Sequence, residues 1–280
     1  MRDVEVSRIS EEISRMCIDI NHELSCDMKE AYANAAIKET NPLGQRILGQ
    51  LQENLALAKK NMVPICQDTG MAVVFLEVGQ EVHLVGGDIE TAVNEGVRKG
   101  YSEGYLRKSV VSDPLIRKNT GDNTPAVIHY SIVPGDKVKI TLAPKGFGSE
   151  NMSRVNMLKP ADGEQGVIDA VVAAVRDAGP NACPPMVVGV GIGGTFEKCA
   201  LMAKKALTRP VGQHSDKEHI AKMEEEILTR INKLGLGPGG LGGVNTAFAV
   251  NIETYATHIA GLPVGINICC HVNRHISTEI

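Results

Sequence analysis

The chain has 280 residues, enough for one large domain or two small ones and for a sizeable buried core. Hydrophobic residues make up 43% and charged residues 22%, with a formal net charge of −4, so there is no basic footprint for nucleic acid or an anionic membrane. No apolar run approaches the ~20 residues that span a bilayer, and the charged start MRDVEVSRISEEISRM lacks the apolar stretch of a signal peptide, so a cytoplasmic location is expected.

In chain order, residues 3–38 read as helix, because Val4, Ile9, Ile13, Met16, Cys17 and Ile20 recur with a period near 3.6. Pro42–Lys60 reads as a second helix, with proline in its first turn and Lys59-Lys60 at its end. The motif PICQDTG (64–70) is a turn that leads into the β-rich run MAVVFLEV. GGDIETAVNEGVRKGYSEGY follows as a helix with Asp88 and Glu90 in its first turn. Val127–Val133 and Lys137–Leu142 read as a hairpin closed by Pro134-Gly135-Asp136. After the glycine-rich KGFGSEN, Gly163–Ala178 is helical, MVVGVGIGG is a buried strand, and Thr195–Leu207 and Asp216–Leu234 are helices. GLGPGGLGG (235–243) connects to VNTAFAVNIETYATHIAGLPVGINICC, which reads as two or three strands. With no internal repeat and no linker, the expectation is one mixed α/β (α+β) domain over 1–280, helix-rich with a mixed sheet.

Trp is absent and Phe and Tyr are few, so the core must be built from Val, Ile, Leu, Ala and Met. Seven cysteines, an odd number, argue against a disulfide framework, and no CxxC pair is present. Any metal site must therefore be assembled from cysteines far apart in sequence. Cys17 lies on an apolar helical stripe and Cys199 sits mid-helix, both packing positions. Cys66, Cys183 and Cys270 each lie at the edge of an apolar run beside turn formers or polar groups.

GVGIGG (189–194) matches the dinucleotide fingerprint formally, but no second strand ending in an acidic residue follows. The plainer reading is a glycine-lined stretch that something approaches closely. KGFGSEN offers backbone N–H groups to an anion, or is simply a turn. Residues 105–127 gather Arg107, Lys108, Arg117, Lys118, Asn119, Asp122 and Asn123 in one irregular segment, either a solvated loop or a carboxylate-recognition element. His258 stands among apolar neighbours, where a lone histidine is ordinarily structural.

PICQDTG, RKNTGDNTPA, KGFGSEN, GPNACPP, GVGIGG, THIAGLPV and the cysteine before His271 occur together and in this order. Each is weak alone; the ordered set is specific. From about residue 10 to its end the chain resembles the iron–sulfur (class I) fumarase and tartrate dehydratase family, specifically the separate α subunit of its two-subunit members. The resemblance implies an N-terminal-domain-like class I fumarase fold and a [4Fe–4S] cluster held by Cys66, Cys183 and Cys270, with Cys270 rather than Cys269 as third ligand. It further implies that Asp68 transfers a proton and that Gln67 lines the substrate. Arg107 and the backbone N–H of Gly148 would meet a substrate carboxylate, and His258 would contact the substrate.

The activity so implied is reversible hydration of fumarate to (S)-malate, a tricarboxylic acid cycle reaction. Dehydration of L-tartrate is the alternative, and a non-catalytic metal-binding subunit a further one. Single-chain relatives carry a second domain with further arginines, a lysine and a threonine base. A separate β subunit is therefore expected to complete the site, with an α homodimer inside a heterotetramer. Phe147 departs from the glycine found there in many single-chain relatives.

Overall fold

A computed structural model describes residues 1–280. Its elements run β1 (Arg2–Glu5), α1 (Val6–His22), α2 (Cys26–Lys38), α3 (Pro42–Asn61), β2 (Met71–Gly79), β3 (Val82–Val85) and α4 (Ile89–Glu103). They continue with β4 (Val127–Val133), β5 (Val138–Lys145), α5 (Phe147–Glu150), β6 (Arg154–Leu158), α6 (Gly163–Ala178) and β7 (Met186–Gly194). The chain closes with α7 (Phe196–Ala206), α8 (Glu218–Asn232), β8 (Ala247–Thr257), β9 (Leu262–Cys269) and β10 (Ile276–Glu279). The architecture is the expected mixed α/β class, rich in helix. No helix is long and apolar enough to cross a membrane.

Two compact units are distinguished. The first comprises residues 1–25, 54–147 and 274–280. Its four-stranded sheet has the order β10-β5-β2-β4, and β1 pairs in parallel with β3. Alternate residues of β2 (Ala72, Val74, Leu76) and β5 (Val138, Ile140, Leu142) meet Ile9, Ile13, Met16 and Cys17 of α1 in one core. α4 adds Val93, Val97 and Tyr101 to that core. The helix begins where the Asp88 carboxylate accepts the Thr91 N–H at 2.7 Å, an N-cap.

Two expectations are corrected here. Residues 3–38 are not one helix: residues 2–5 form β1, and the helical run breaks where Glu23 turns extended (φ −141°, ψ 127°). Leu24, on the apolar stripe, is buried 98% through an irregular link rather than a helix turn, so periodicity carries across the break. Nor do β4 and β5 form a hairpin. β2 runs between them, parallel to β4 and antiparallel to β5. Seven of the nine β2 residues are buried, as a central strand requires, whereas β4 is largely exposed and suits an edge.

The second unit comprises residues 26–53 and 148–273, with the sheet order β6-β9-β7-β8. β7 shows why GVGIGG is written as it is. Val188 and Val190 face a core shared with α6 (Val171, Val175) and α8 (Ile227, Ile231). The intervening Gly189 and Gly191 face α7, where a Cβ would stand 2.2 Å from the Ala203 carbonyl and 2.1 Å from that of Cys199. Gly265 of β9 is as tight against the Cys199 carbonyl, at 2.4 Å. The glycines seat a helix on the sheet; they cradle no phosphate. Cys17 and Cys199 are wholly buried, as read from their patterns.

Candidate active site

The turn PICQDTG lies in the first unit and is held from several sides. The Ile65 N–H donates to the Asn21 carbonyl at 2.9 Å, and the Asn54 amide donates to the Ile65 carbonyl at 2.9 Å. Gly70 is left-handed (φ 77°), and a Cβ there would stand 2.8 Å from the Lys145 nitrogen, so glycine is required. The Tyr101 hydroxyl lies 2.7 Å from the Thr69 carbonyl and 3.0 Å from that of Gly70. Cys66 and Asp68 are half-buried and Gln67 is exposed.

The Asp68 carboxylate is fixed at both oxygens. Oδ1 accepts the Gly70 N–H at 3.0 Å, and Oδ2 accepts the Phe147 N–H at 2.9 Å. Gly146 leaves room for this: a Cβ there would lie 3.0 Å from Oδ2. Each oxygen keeps a further lone pair for a proton or a substrate hydroxyl. The Asp68 carbonyl accepts from Arg274 Nη2 at 2.9 Å.

The same frame carries Arg107. Thr69 Oγ1 donates to the Arg107 carbonyl at 3.1 Å, while the Arg107 side chain is exposed. Asn123, wholly buried and left-handed (φ 62°), donates from Nδ2 to the Gly70 carbonyl and accepts the Ser109 N–H at Oδ1. Asp122 accepts from Arg98, Thr124 N–H and Thr124 Oγ1. Burial pushes its pKa up, but those bonds outweigh it and bring the group down to about 2. Asp122 and Asn123 are therefore scaffold, not part of a solvated loop.

In the second unit, Cys183 follows a 3₁₀ turn (Gly179–Ala182) in a left-handed conformation (φ 52°) and is exposed. Its carbonyl accepts the His271 N–H at 3.1 Å, which brings Cys183 alongside the Cys270-His271 stretch. Cys270 is partly accessible just past β9, whereas Cys269 is the last residue of that strand and only 3% exposed. The Tyr32 hydroxyl lies 2.6 Å from His271 Nδ1. Burial, and then the neighbouring Cys270, push that hydroxyl well above its usual range, so it stays protonated. Gly148 is exposed in the short α5. His258 is exposed in the turn after β8, with Nδ1 accepting the Ala260 N–H at 3.1 Å, which leaves the proton of a neutral ring on Nε2.

One group of expected residues (Cys66, Gln67, Asp68, Arg107) thus shares a backbone frame in the first unit. A second group, Cys183 and Cys270, shares one in the second, and His258, also in the second unit, is bonded within its own turn. Within either unit, no three His, Cys, Asp or Glu side chains gather as a metal cage. The donor chemistry nevertheless suits a thiolate-held group. Burial pushes the Cys17 and Cys199 thiols up and keeps them neutral, whereas Cys66, Cys183 and Cys270 are all accessible. Arg274, Asn123, Tyr101 and Tyr32 support the site without any local sequence signal for that role. Asn123 stood in a segment rich in polar residues, and Arg274 lies just beyond the last motif; neither signal gives burial.

A family model described as Fumarate hydratase (Fumerase) matches residues 10–279. The chain belongs to the fumarate hydratase family. A relative from Methanocaldococcus jannaschii, 42% identical with 91% of each chain covered, carries the name "Putative L(+)-tartrate dehydratase subunit alpha". One from Escherichia coli (strain UTI89 / UPEC), 30% identical over 96% of this chain and 89% of its own, is named "L(+)-tartrate dehydratase subunit alpha". Fumarate hydratase family members are hydro-lyases, so the motif-based resemblance holds at the level of family and reaction class. Both relatives bear the name of the alternative substrate, not of fumarate.

Proposed function

We propose that this chain is the α subunit of a two-subunit hydro-lyase that dehydrates L-tartrate. A separate β subunit completes the site. The observation that carries the reading is the Asp68 carboxylate, clamped by the Gly70 and Phe147 amides and preceded by Cys66 and Gln67. The names of relatives covering nearly the whole chain direct it to tartrate. Hydration of fumarate is the second reading, favoured by the description of the matching family model.

In this proposal Cys66, Cys183 and Cys270 hold a [4Fe–4S] cluster. When bound, such a cluster supplies an iron without a protein ligand, a Lewis acid for the departing hydroxyl. The chain's own groups position the substrate and serve the hydroxyl side, and the base that takes the proton from the adjacent carbon belongs to the β subunit. The reaction removes a proton and a hydroxyl from adjacent carbons, with no redox change. Asp68 serves the hydroxyl side: carrying a proton on one of its remaining lone pairs, it gives that proton to the departing hydroxyl, which leaves as water. Gln67 orients the substrate hydroxyl from an exposed amide. Arg107 offers a planar fork of donors to one substrate carboxylate, and the Gly148 N–H adds a donor to it. His258 donates from Nε2 to the substrate.

The test is anaerobic co-expression with the β subunit, followed by assay on L-tartrate, D-tartrate, fumarate and malate. Turnover of L-tartrate at the highest kcat/KM is the expected result, and preference for fumarate and malate selects the second reading. Full activity of the cluster-loaded α chain alone would overturn the two-subunit assignment.

A further inference from the structure

We infer that Arg274 is a positioning residue that anchors the Asp68 turn to the end of α1; its catalytic consequence rests on the reading of Asp68 given above. Arg274 is 3% exposed. Its guanidinium forks between two acceptors: Nη1 donates to Asn21 Oδ1 at 2.7 Å and Nη2 to the Asp68 carbonyl at 2.9 Å.

Asn21 is itself fixed. Its Nδ2 donates to the Cys17 carbonyl at 2.9 Å, which aims Oδ1 at Arg274. Its own carbonyl accepts the Ile65 N–H at 2.9 Å. One residue in the last turn of α1 therefore grips the PICQDTG turn twice, directly at Ile65 and through Arg274 at Asp68. Cys66 and Gln67 lie between those two grips. The C-terminal end of a helix also favours a cation, which suits Arg274 there.

The energetics point the same way. Removing a guanidinium from water is costly, and a fold that needed only a tether at residue 274 would meet the need with a neutral donor. Here the Nε proton is buried without a partner, so the site does not satisfy the arginine completely. What the fork provides is two acceptors bridged by one rigid plane, a geometry that lysine cannot reproduce. With its carbonyl fixed by Arg274 and its carboxylate by the Gly70 and Phe147 amides, Asp68 has a defined direction. Arg274 touches neither substrate nor reacting atoms in this scheme; it acts through Asp68.

The test uses the α–β complex with Arg274→Ala and Arg274→Lys, followed by amide hydrogen exchange, steady-state kinetics and added guanidinium ion. Exchange across Cys66–Gly70 is expected to rise about tenfold or more in both variants, with α6 and α8 unchanged. On whichever diacid the wild-type complex turns over, kcat is expected to fall about 10²-fold, as for a misplaced catalytic group. KM should move by less than roughly threefold. Guanidinium ion should restore part of the kcat of Arg274→Ala and none of Asp68→Asn. Unchanged exchange across Cys66–Gly70 overturns the anchoring, as does a loss confined to KM. If Arg274→Ala does not fold, Arg274→Lys carries the same readouts. Raised exchange with a wild-type complex inactive on every diacid supports the anchoring while overturning the catalytic reading of Asp68, so the two failures separate.

Discussion

The His271 N–H donates to the carbonyl of Cys183 at 3.1 Å. This bond ties the 3₁₀ turn that presents Cys183 to the stretch just beyond β9 that presents Cys270. The main chain thus ties together the two segments that carry the proposed thiol ligands of the second unit. Cys269 differs from its neighbour: it ends β9 in register with Val187 and is buried.

The first prediction separates these cysteines. Anaerobically purified protein should be brown. Cys66→Ser, Cys183→Ser and Cys270→Ser should each lose the broad visible absorbance. Cys269→Ser should keep the colour, at a modest cost in melting temperature. Retention of full absorbance by both Cys66→Ser and Cys183→Ser would sink the ligand assignment.

Asp68→Asn supplies the second. The amide can accept only one of the Gly70 and Phe147 N–H groups and turns its NH2 toward the other, so the turn is held less firmly, and the group that exchanges a proton with the substrate is gone. Turnover by the α–β complex should fall about 10²–10⁴-fold, the usual contribution of a positioned acid–base group. The cluster absorbance should be close to wild type, while the N–H left without an acceptor lowers stability by about 1–3 kcal/mol. Wild-type kcat in this variant would remove Asp68 from the mechanism.

These cysteines and Asp68 were nominated by local motifs, and what the structure adds is the set of bonds around them. The close approach at GVGIGG was legible from its glycines; that α7 is what approaches them was not. The neighbours of β2 were not legible. Pro134-Gly135-Asp136 is a good turn sequence, and only long-range pairing reveals that β2 lies between the strands it joins. The break after α1 was hidden because Glu23, Leu24 and Ser25 include neither proline nor glycine. Arg274 was invisible for the same reason on a larger scale: its partner Asn21 is 253 positions away, and no local pattern encodes that meeting.

The third prediction tests the packing account of GVGIGG. Gly191→Ala would put a Cβ 2.1 Å from the Cys199 carbonyl and 2.8 Å from the Ala203 nitrogen, both backbone atoms of α7. Backbone cannot swing away as a flexible side chain does, so α7 must lift. The cost should be about 1–3 kcal/mol, the usual range for overpacking a well-filled core. Thermal denaturation should show the loss, and no nucleotide should change the melting temperature of either protein. A variant as stable as wild type would refute the account.

The fourth concerns pH and Glu39, which is 2% exposed. Its carboxylate accepts N–H groups from Thr40, Asn41, Val244 and Asn245 and the Asn245 side-chain amide at 2.7 Å. Burial pushes its pKa up, but these donors, Asn245 foremost, outweigh that and hold it below the ordinary glutamate value. A depressed folded-state pKa contributes stability that is fully present above the unfolded value, about 4.3, and is lost as pH falls from there through the folded value. Glu39→Gln puts an amide hydrogen against donors that already point at the site, so the variant should be less stable at pH 7, by about 1.5–3 kcal/mol. The gap between wild type and variant should then narrow below about pH 4, because only the wild type has a carboxylate left to protonate. Paired urea melts from pH 7 to pH 3.5 measure it. A gap that stays constant across that range would show that the Glu39 charge contributes nothing, and that its hydrogen bonds act through shape alone.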